Sequence, residues 1–223
     1  MSSSAKTAPY GSWKSPITSD LIVAQSISLS DVRLDGGQIY WLEGRPQEQG
    51  RSVVVRADAD GRRIDVTPAP SNVRTRVHEY GGGAWTVWDG TIYFSNFADG
   101  RLYRQAPDGS APRPLTPEPP ARDRQWRFAD GVIDQRRNRW IGVREDHSLG
   151  GEPVNAIVAV DLDGDREAGR VLARGHDFYA SPRLSPDGTG SHGWRGITPT
   201  CRGTARCSTL PTSAPKACQL SRA

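Results

Sequence analysis

One phrase, two strands followed by an Asp-Gly turn, recurs three times along this chain, and that repetition limits the folds open to it. In the first copy the strand Gln38-Ile39-Tyr40-Trp41-Leu42-Glu43 follows the turn Asp35-Gly36-Gly37. Ser52-Val53-Val54-Val55-Arg56-Ala57 comes next and is closed by Asp58-Ala59-Asp60-Gly61 ahead of Ile64-Asp65-Val66-Thr67-Pro68. The second copy reads Thr91-Ile92-Tyr93-Phe94-Ser95, then Gly100-Arg101-Leu102-Tyr103-Arg104-Gln105, then Pro107-Asp108-Gly109 before Pro114-Leu115-Thr116-Pro117. The third reads Arg139-Trp140-Ile141-Gly142-Val143-Arg144, then Ala156-Ile157-Val158-Ala159-Val160, then Asp161-Leu162-Asp163-Gly164 before Arg170-Val171-Leu172-Ala173. The Asp-Gly pairs lie about fifty residues apart, the length of one propeller blade. Asp-Gly supplies the positive φ of a tight hairpin, so each pair is expected between strands three and four of its blade. A β-sandwich has short strands too, but it does not repeat a blade-length phrase.

The expected fold is all-β: an incomplete β-propeller of about three four-stranded blades over residues 31–189, behind a lead segment at 1–30. Ala180-Ser181-Pro182-Arg183-Leu184-Ser185-Pro186-Asp187-Gly188 opens a fourth copy. Three blades and one strand do not close a ring. The edge of the third blade is therefore expected to expose strand hydrogen-bonding groups and apolar surface, through which the chain could self-associate. No stretch approaches the ~18 apolar residues that span a bilayer, and Met1-Ser2-Ser3-Ser4-Ala5-Lys6-Thr7-Ala8-Pro9-Tyr10 has no apolar core of a signal peptide. The location expected is cytoplasmic, with no membrane partner.

Charge divides the chain sharply. All 25 acidic residues fall within 1–188, whereas the last 35 residues carry five basic groups, all three cysteines and no acid. Without that tail the balance is 24 basic against 25 acidic, so the net charge of +4 belongs to the tail alone. A lost base accounts for the break. Degenerate codons for Trp194-Arg195-Gly196-Ile197-Thr198-Pro199-Thr200-Cys201-Arg202-Gly203-Thr204 can be regrouped so that each triplet joins the last base of one codon to the first two of the next. They then read Leu-Ala-Trp-Asp-His-Pro-Asn-Met-Pro-Trp-Asp, an alternating strand of the kind the preceding turn leads into. Residues 190–223 are accordingly expected to be a disordered, out-of-frame tail, too poor in periodic apolar residues to offset ordering of about 1–2 kcal/mol per residue. The alternative is a genuine basic extension. Cys201, Cys207 and Cys218 do not have zinc-ligand spacing.

Several strings resemble the N-terminal propeller of the prolyl oligopeptidase family, in its dipeptidyl-aminopeptidase and acylaminoacyl-peptidase branch. They are Tyr10-Gly11-Ser12-Trp13-Lys14-Ser15-Pro16-Ile17-Thr18, Arg76-Val77-His78-Glu79-Tyr80-Gly81-Gly82-Gly83-Ala84-Trp85, Tyr93-Phe94-Ser95-Asn96 and Ser181-Pro182 with Ser185-Pro186-Asp187-Gly188. The regrouped Trp-Asp-His-Pro string is similar to the same branch. The resemblance spans residues 9 to 188. It implies a parent serine peptidase with a following α/β-hydrolase domain and a Ser-Asp-His triad, whose propeller screens short peptides by size. It thus implies two partners for this chain, that hydrolase domain and short peptide substrates.

The chemistry itself is missing. A nucleophile elbow needs Gly-x-Ser-x-Gly between a strand and a helix. Gly190-Ser191-His192-Gly193 has the wrong spacing, and no strand–helix alternation exists to hold a triad. No catalytic residue is expected, nor any cofactor or metal. The binding candidates are His78, Glu79 and Tyr80, whose polar groups could meet a partner domain or a substrate terminus at the propeller axis. In a purely structural role, Gly81, Gly82 and Gly83 form a hinge at the start of blade two. His147 and His176 are expected to be hydrogen-bonded surface histidines. Asp161-Leu162-Asp163-Gly164-Asp165 lacks the glycine and final acid of a calcium loop, with Arg166 and Leu172 at those positions. Arg122, Arg124, Arg127, Arg136, Arg137 and Arg139 interleave with Asp123, Asp130 and Asp134, which points to a solvated face and not to nucleic acid. Three functions remain: a non-catalytic propeller fragment of a serine peptidase, the first part of an intact peptidase, or an independent protein-binding propeller.

Overall fold

The computed structural model describes residues 7–12, 14–23, 26–121, 125–148, 150–187, 190–196 and 206–210. Its strands form four antiparallel sheets that succeed one another along the chain, each a meander. The first holds β1 (Ser28–Asp35), β2 (Gln38–Arg45), β3 (Arg51–Ala57) and β4 (Arg63–Asp65), and the second β5 (Trp85–Trp88), β6 (Thr91–Ser95), β7 (Leu102–Gln105) and β8 (Arg113–Pro114). The third holds β9 (Trp126–Asp134), β10 (Arg139–Asp146), β11 (Val154–Asp161) and β12 (Arg170–Arg174). A fourth is built from β13 (Phe178–Leu184), β14 (Ser191–Gly196) and β15 (Arg206–Leu210). The chain is an incomplete all-β propeller.

The repeated phrases map onto the second, third and fourth strands of each blade, and the Asp-Gly pairs lie between strands three and four in all three. Gly61, Gly109 and Gly164 have φ of 76°, 77° and 121° there. An aspartate braces each turn: Asp58 accepts from the amides of Asp60 and Arg62, Asp108 from Ser110, and Asp161 from Asp163. The Val-Thr-Pro and Leu-Thr-Pro sequences after the fourth strands have a local cause. Proline cannot extend the ladder, and the preceding threonine hydroxyl completes it: Thr67 Oγ1 accepts from Val54 N at 2.9 Å, and Thr116 Oγ1 from Leu102 N at 3.1 Å.

The first strands of the blades, β1, β5 and β9, escape the repeat, and β1 begins inside the expected lead segment. Bulges break the alternation that marks a strand: the register slips between Ser30 and Arg33 in β1, opposite Ile141 to Val143 in β9, and between Ala180 and Arg183 in β13. At each slip one residue takes positive φ: Asp31 (53°), Asp130 (59°) and Ser181 (49°). Asp130 uses the bulge to tie three blades together. Its Oδ1 accepts from Gly83 N (2.7 Å) ahead of β5, and its Oδ2 from Ser181 N (2.8 Å) in β13. Gly83 has to lack a side chain, because a Cβ there would sit 3.0 Å from Asp130 Oδ1.

Two short segments within 190–223 pair as strands, β14 and β15. β14 pairs with β13 from Phe178↔Gly196 to Leu184↔Ser191, and β15 pairs with β14. Strand pairing uses backbone groups that every sequence supplies, and the free edge of β13 is a template for it. Gly188 and Thr189, where the break was placed, Cys201, Cys218 and the remainder of the tail lie outside the described residues.

Apolar faces pack between successive sheets. Tyr40 and Val54 meet Trp85, Ile92 and Phe94 between blades one and two. Tyr93, Leu102 and Leu115 meet Phe128, Trp140 and Val158 between two and three, and Ile141, Val143 and Ile157 meet Tyr179 between three and four. β10 and β11 are buried on both faces, which is why Ala156-Ile157-Val158-Ala159-Val160 is continuously apolar instead of alternating. Among the described residues, the first blade carries an open apolar face. The third blade, expected to be exposed, is covered by the fourth, while Leu29, Val32, Leu34 and Ile39 are 65%, 68%, 75% and 47% exposed.

Candidate functional site

The loop 76–81 leaves the first blade and enters the second, yet it docks on the third and fourth. His78 and Glu79 take φ of 56° and 68°, and Gly81 takes 95°. A non-glycine residue enters this left-handed region only when its surroundings enforce it. Here Glu145 does so. This carboxylate near the end of β10 is 2% exposed, and it accepts from His78 N at 2.6 Å, Arg127 Nη1 at 2.9 Å and His147 Nε2 at 2.6 Å. Arg127 lies directly opposite Glu145 in the β9–β10 ladder, so strand register sets that pair. The same Nη1 also reaches Glu79 Oε1 (2.7 Å) and Arg76 O (2.9 Å), fastening the loop from below.

His78 is nearly enclosed, with an 8% exposed side chain. Its Nε2 lies 3.0 Å from Tyr179 O, its Nδ1 lies 3.4 Å from Glu145 Oε2, and its ring meets Phe178 edge-on at 5.1 Å between centroids. Burial alone would push the Glu145 carboxyl up, but hydrogen bonds from His78 and His147 and the charge of Arg127 bring it down to about 2. The carboxylate is therefore ionised throughout the physiological range.

Beside this cluster is a cavity of about 760 Å³, whose wall includes His78, Glu79, Glu145 and His147 with Glu152, Asn155 and Asp177. No hydroxyl or thiol side chain lines it among the described residues. Its polar groups are carboxylates, imidazoles and an amide, suited to holding a hydrogen-bonding or cationic group. Glu79, Glu145 and His147 present donor atoms within 4.8 Å of one another, close enough to surround an ion. The Arg127 guanidinium already lies between the two carboxylates, so the group is an ion-pair cluster with its cation built in.

Of the residues singled out in the sequence, His78 and Glu79 are brought together with Glu145, while Tyr80 is 85% exposed beside them. His147 joins the same cluster instead of standing at the surface, and His176 packs its ring against Tyr179 at 5.8 Å. The arginine-rich stretch is not simply a solvated face. Arg127 anchors the cluster, and Arg139, 5% exposed, pairs with Asp134 at 2.9 Å. Arg122, Asp123 and Arg124 lie outside the described residues. Glu145 and Arg127 gave no sequence signal as a pair, because their meeting depends on the register of β9 against β10.

Neither a protein-family model nor a curated protein matches the chain. Solved structures do. Puromycin hydrolase matches at 37% identity and TM-score 0.77 over 87% of this chain and 32% of its own. A puromycin-hydrolyzing peptidase of Mycobacterium tuberculosis matches at 35% identity and TM-score 0.76 over 86% and 31%, and a puromycin hydrolase mutant complexed with PGG at 37% and 0.76 over 86% and 31%. The chain thus spans about a third of the length of the structures it matches. The blade repeat, the His-Glu-Tyr loop and this likeness agree: the chain matches the N-terminal propeller region of puromycin hydrolase, a prolyl oligopeptidase-family enzyme.

Proposed function

We propose that this chain is the non-catalytic propeller portion of a serine peptidase, the part that screens short peptides before they reach a hydrolase domain. The likeness to puromycin hydrolases over 87% of the chain carries the reading, and a cavity lined by carboxylates, imidazoles and an amide, suited to the hydrogen-bonding groups of a peptide, supports it. His78, Glu79 and Tyr80 take part in binding in this reading: Glu79 lines the cavity and Tyr80 stands exposed next to it in the loop, where a peptide terminus or the partner domain meets them, and His78 holds the loop in place. The test adds the tripeptide PGG to the purified chain and follows amide shifts and peptide integrity together. Shifts at Glu79 and Tyr80 with intact PGG are expected. Cleavage refutes the non-catalytic assignment, and an unmoved loop refutes the binding role.

A second reading is carried by the exposed β1 face, where Leu29, Val32 and Leu34 lack a covering sheet. There the chain associates with another copy through its open blade. A shifted frame after Thr189 also stands as our proposal, and resequencing across the Thr189 and Gly190 codons decides it. A cytoplasmic location belongs to the same proposal, and no helix among the described residues is long and apolar enough to cross a membrane.

A further inference from the structure

We propose that the loop 76–81 is a pH-gated latch, held against the third and fourth blades by a charged His78 imidazole and released when that ring loses its proton. Both ring nitrogens face acceptors: Nε2 faces the Tyr179 carbonyl at 3.0 Å and Nδ1 faces Glu145 Oε2 at 3.4 Å. A neutral imidazole has a single N–H, so one of these acceptors would confront a ring lone pair. With an 8% exposed side chain, His78 has little water to fill that gap. Only the imidazolium pairs with both sides, by a hydrogen bond from Nε2 to Tyr179 O and by charge alone across the 3.4 Å from Nδ1 to Glu145, where no hydrogen bond forms.

The surroundings favour that charge. From β10 comes Glu145, and from β9 come Asp130 and the compensating Arg127. His147 follows β10, and β13 brings the Phe178 ring and the Tyr179 carbonyl. The loop itself contributes Arg76, Glu79 and Tyr80, and the cavity wall beyond holds Glu152 and Asp177. Burial alone would lower the His78 pKa. The Glu145 carboxylate and the hydrogen bond to Tyr179 O, with the charge of Asp130, outweigh burial and leave it above the ordinary 6.5. A pKa raised on docking means attachment is complete below the ordinary value and is lost as pH rises through the raised one.

The loop is under tension to leave. Two successive non-glycine residues at positive φ are tolerated only while their contacts persist, and the hydrogen bonds of His78 run to Glu145 and Tyr179 on other blades. Release would carry Glu79 and Tyr80 away from the cavity and change its wall. The latch does not depend on what occupies the cavity, so its failure would leave the peptide-screening reading standing.

The test uses the full chain, with histidine-selective NMR from about pH 5 to about pH 9 and hydrogen exchange of loop 76–81 over the same range, corrected for the intrinsic rate. We expect His78 to titrate above 6.5. Loop protection should fall around the same midpoint, by about tenfold for each pH unit of that elevation, while β10 and β11 stay protected. His78→Gln should abolish the pH step, and His147→Gln should keep it. A His78 midpoint at or below 6.5, a loop whose protection ignores that midpoint, or a step that disappears in His147→Gln overturns the proposal. If His78→Gln does not fold, the wild-type titration and exchange decide alone.

Discussion

Replacing Asp130 asks whether one bulge residue holds three blades in place. Its carboxylate accepts a backbone amide from each neighbour, Gly83 N at 2.7 Å and Ser181 N at 2.8 Å. A hydrogen bond to a charged acceptor contributes about 1.5–3 kcal/mol, and its loss leaves a partly buried donor unpaired. Alanine removes both bonds and must also adopt a φ of 59°, which adds about 1 kcal/mol of strain. Asp130→Ala is thus expected to cost roughly 4 kcal/mol, a large part of the ~5–15 kcal/mol that stabilises an ordinary domain. Asparagine tolerates the left-handed conformation and keeps one acceptor oxygen, so Asp130→Asn should cost about 1.5–2 kcal/mol. Glycine relieves the strain without restoring either bond, which places Asp130→Gly between them. Urea unfolding followed by tryptophan fluorescence gives the order Asn, Gly, Ala of increasing cost. Equal costs for Asn and Ala, or an alanine cost below about 1 kcal/mol, would show that apolar packing alone sets the blade arrangement.

The Glu145 cluster should show an acid limb. A carboxyl lowered to about 2 contributes stability that is complete above its ordinary 4.5 and is lost as pH falls toward 2. Glu145→Gln should remove that limb and cost roughly 3 kcal/mol near neutral pH, because Arg127 loses its buried partner. An undiminished acid limb in the variant would place the titration elsewhere. Association is the other expectation: light scattering should show mass rising with concentration, and Val32→Lys with Leu34→Lys on β1 should return the chain to a monomer, since charges on an open strand oppose pairing. A wild-type chain that stays monomeric at every concentration refutes it.

The repeat in the sequence was enough to name the fold, because the signals that make a blade are local. Asp-Gly turns need positive φ within two residues, and the strands that lead into them, such as β3 and β11, need apolar side chains where the sheets stack. Val-Thr-Pro and Leu-Thr-Pro mark the ends of blades for a reason internal to one ladder. The His-Glu-Tyr run was legible as a binding candidate by its glycines and its family likeness, but the residues it docks against were not. Bulges hid β1 and β9 by breaking the alternation that betrays a strand, and β5 is only four residues long. In the tail, the strand pairing at 191–196 and 206–210 was not legible from side-chain composition, because backbone pairing needs no particular side chain once a strand edge is offered.

By itself the sequence determined the blade length, the hairpin positions, the apolar layers and the absence of a nucleophile elbow, since each depends on residues close together in the chain. Tertiary structure alone decided that His78, 67 residues from Glu145 and 101 from Tyr179, meets both. It also decided that Asp130 spans three blades and that the first blade carries an open apolar face. These are contacts between sheets, fixed by how the sheets stack and by strand register, and a one-residue slip of register would have turned Arg127 away from Glu145.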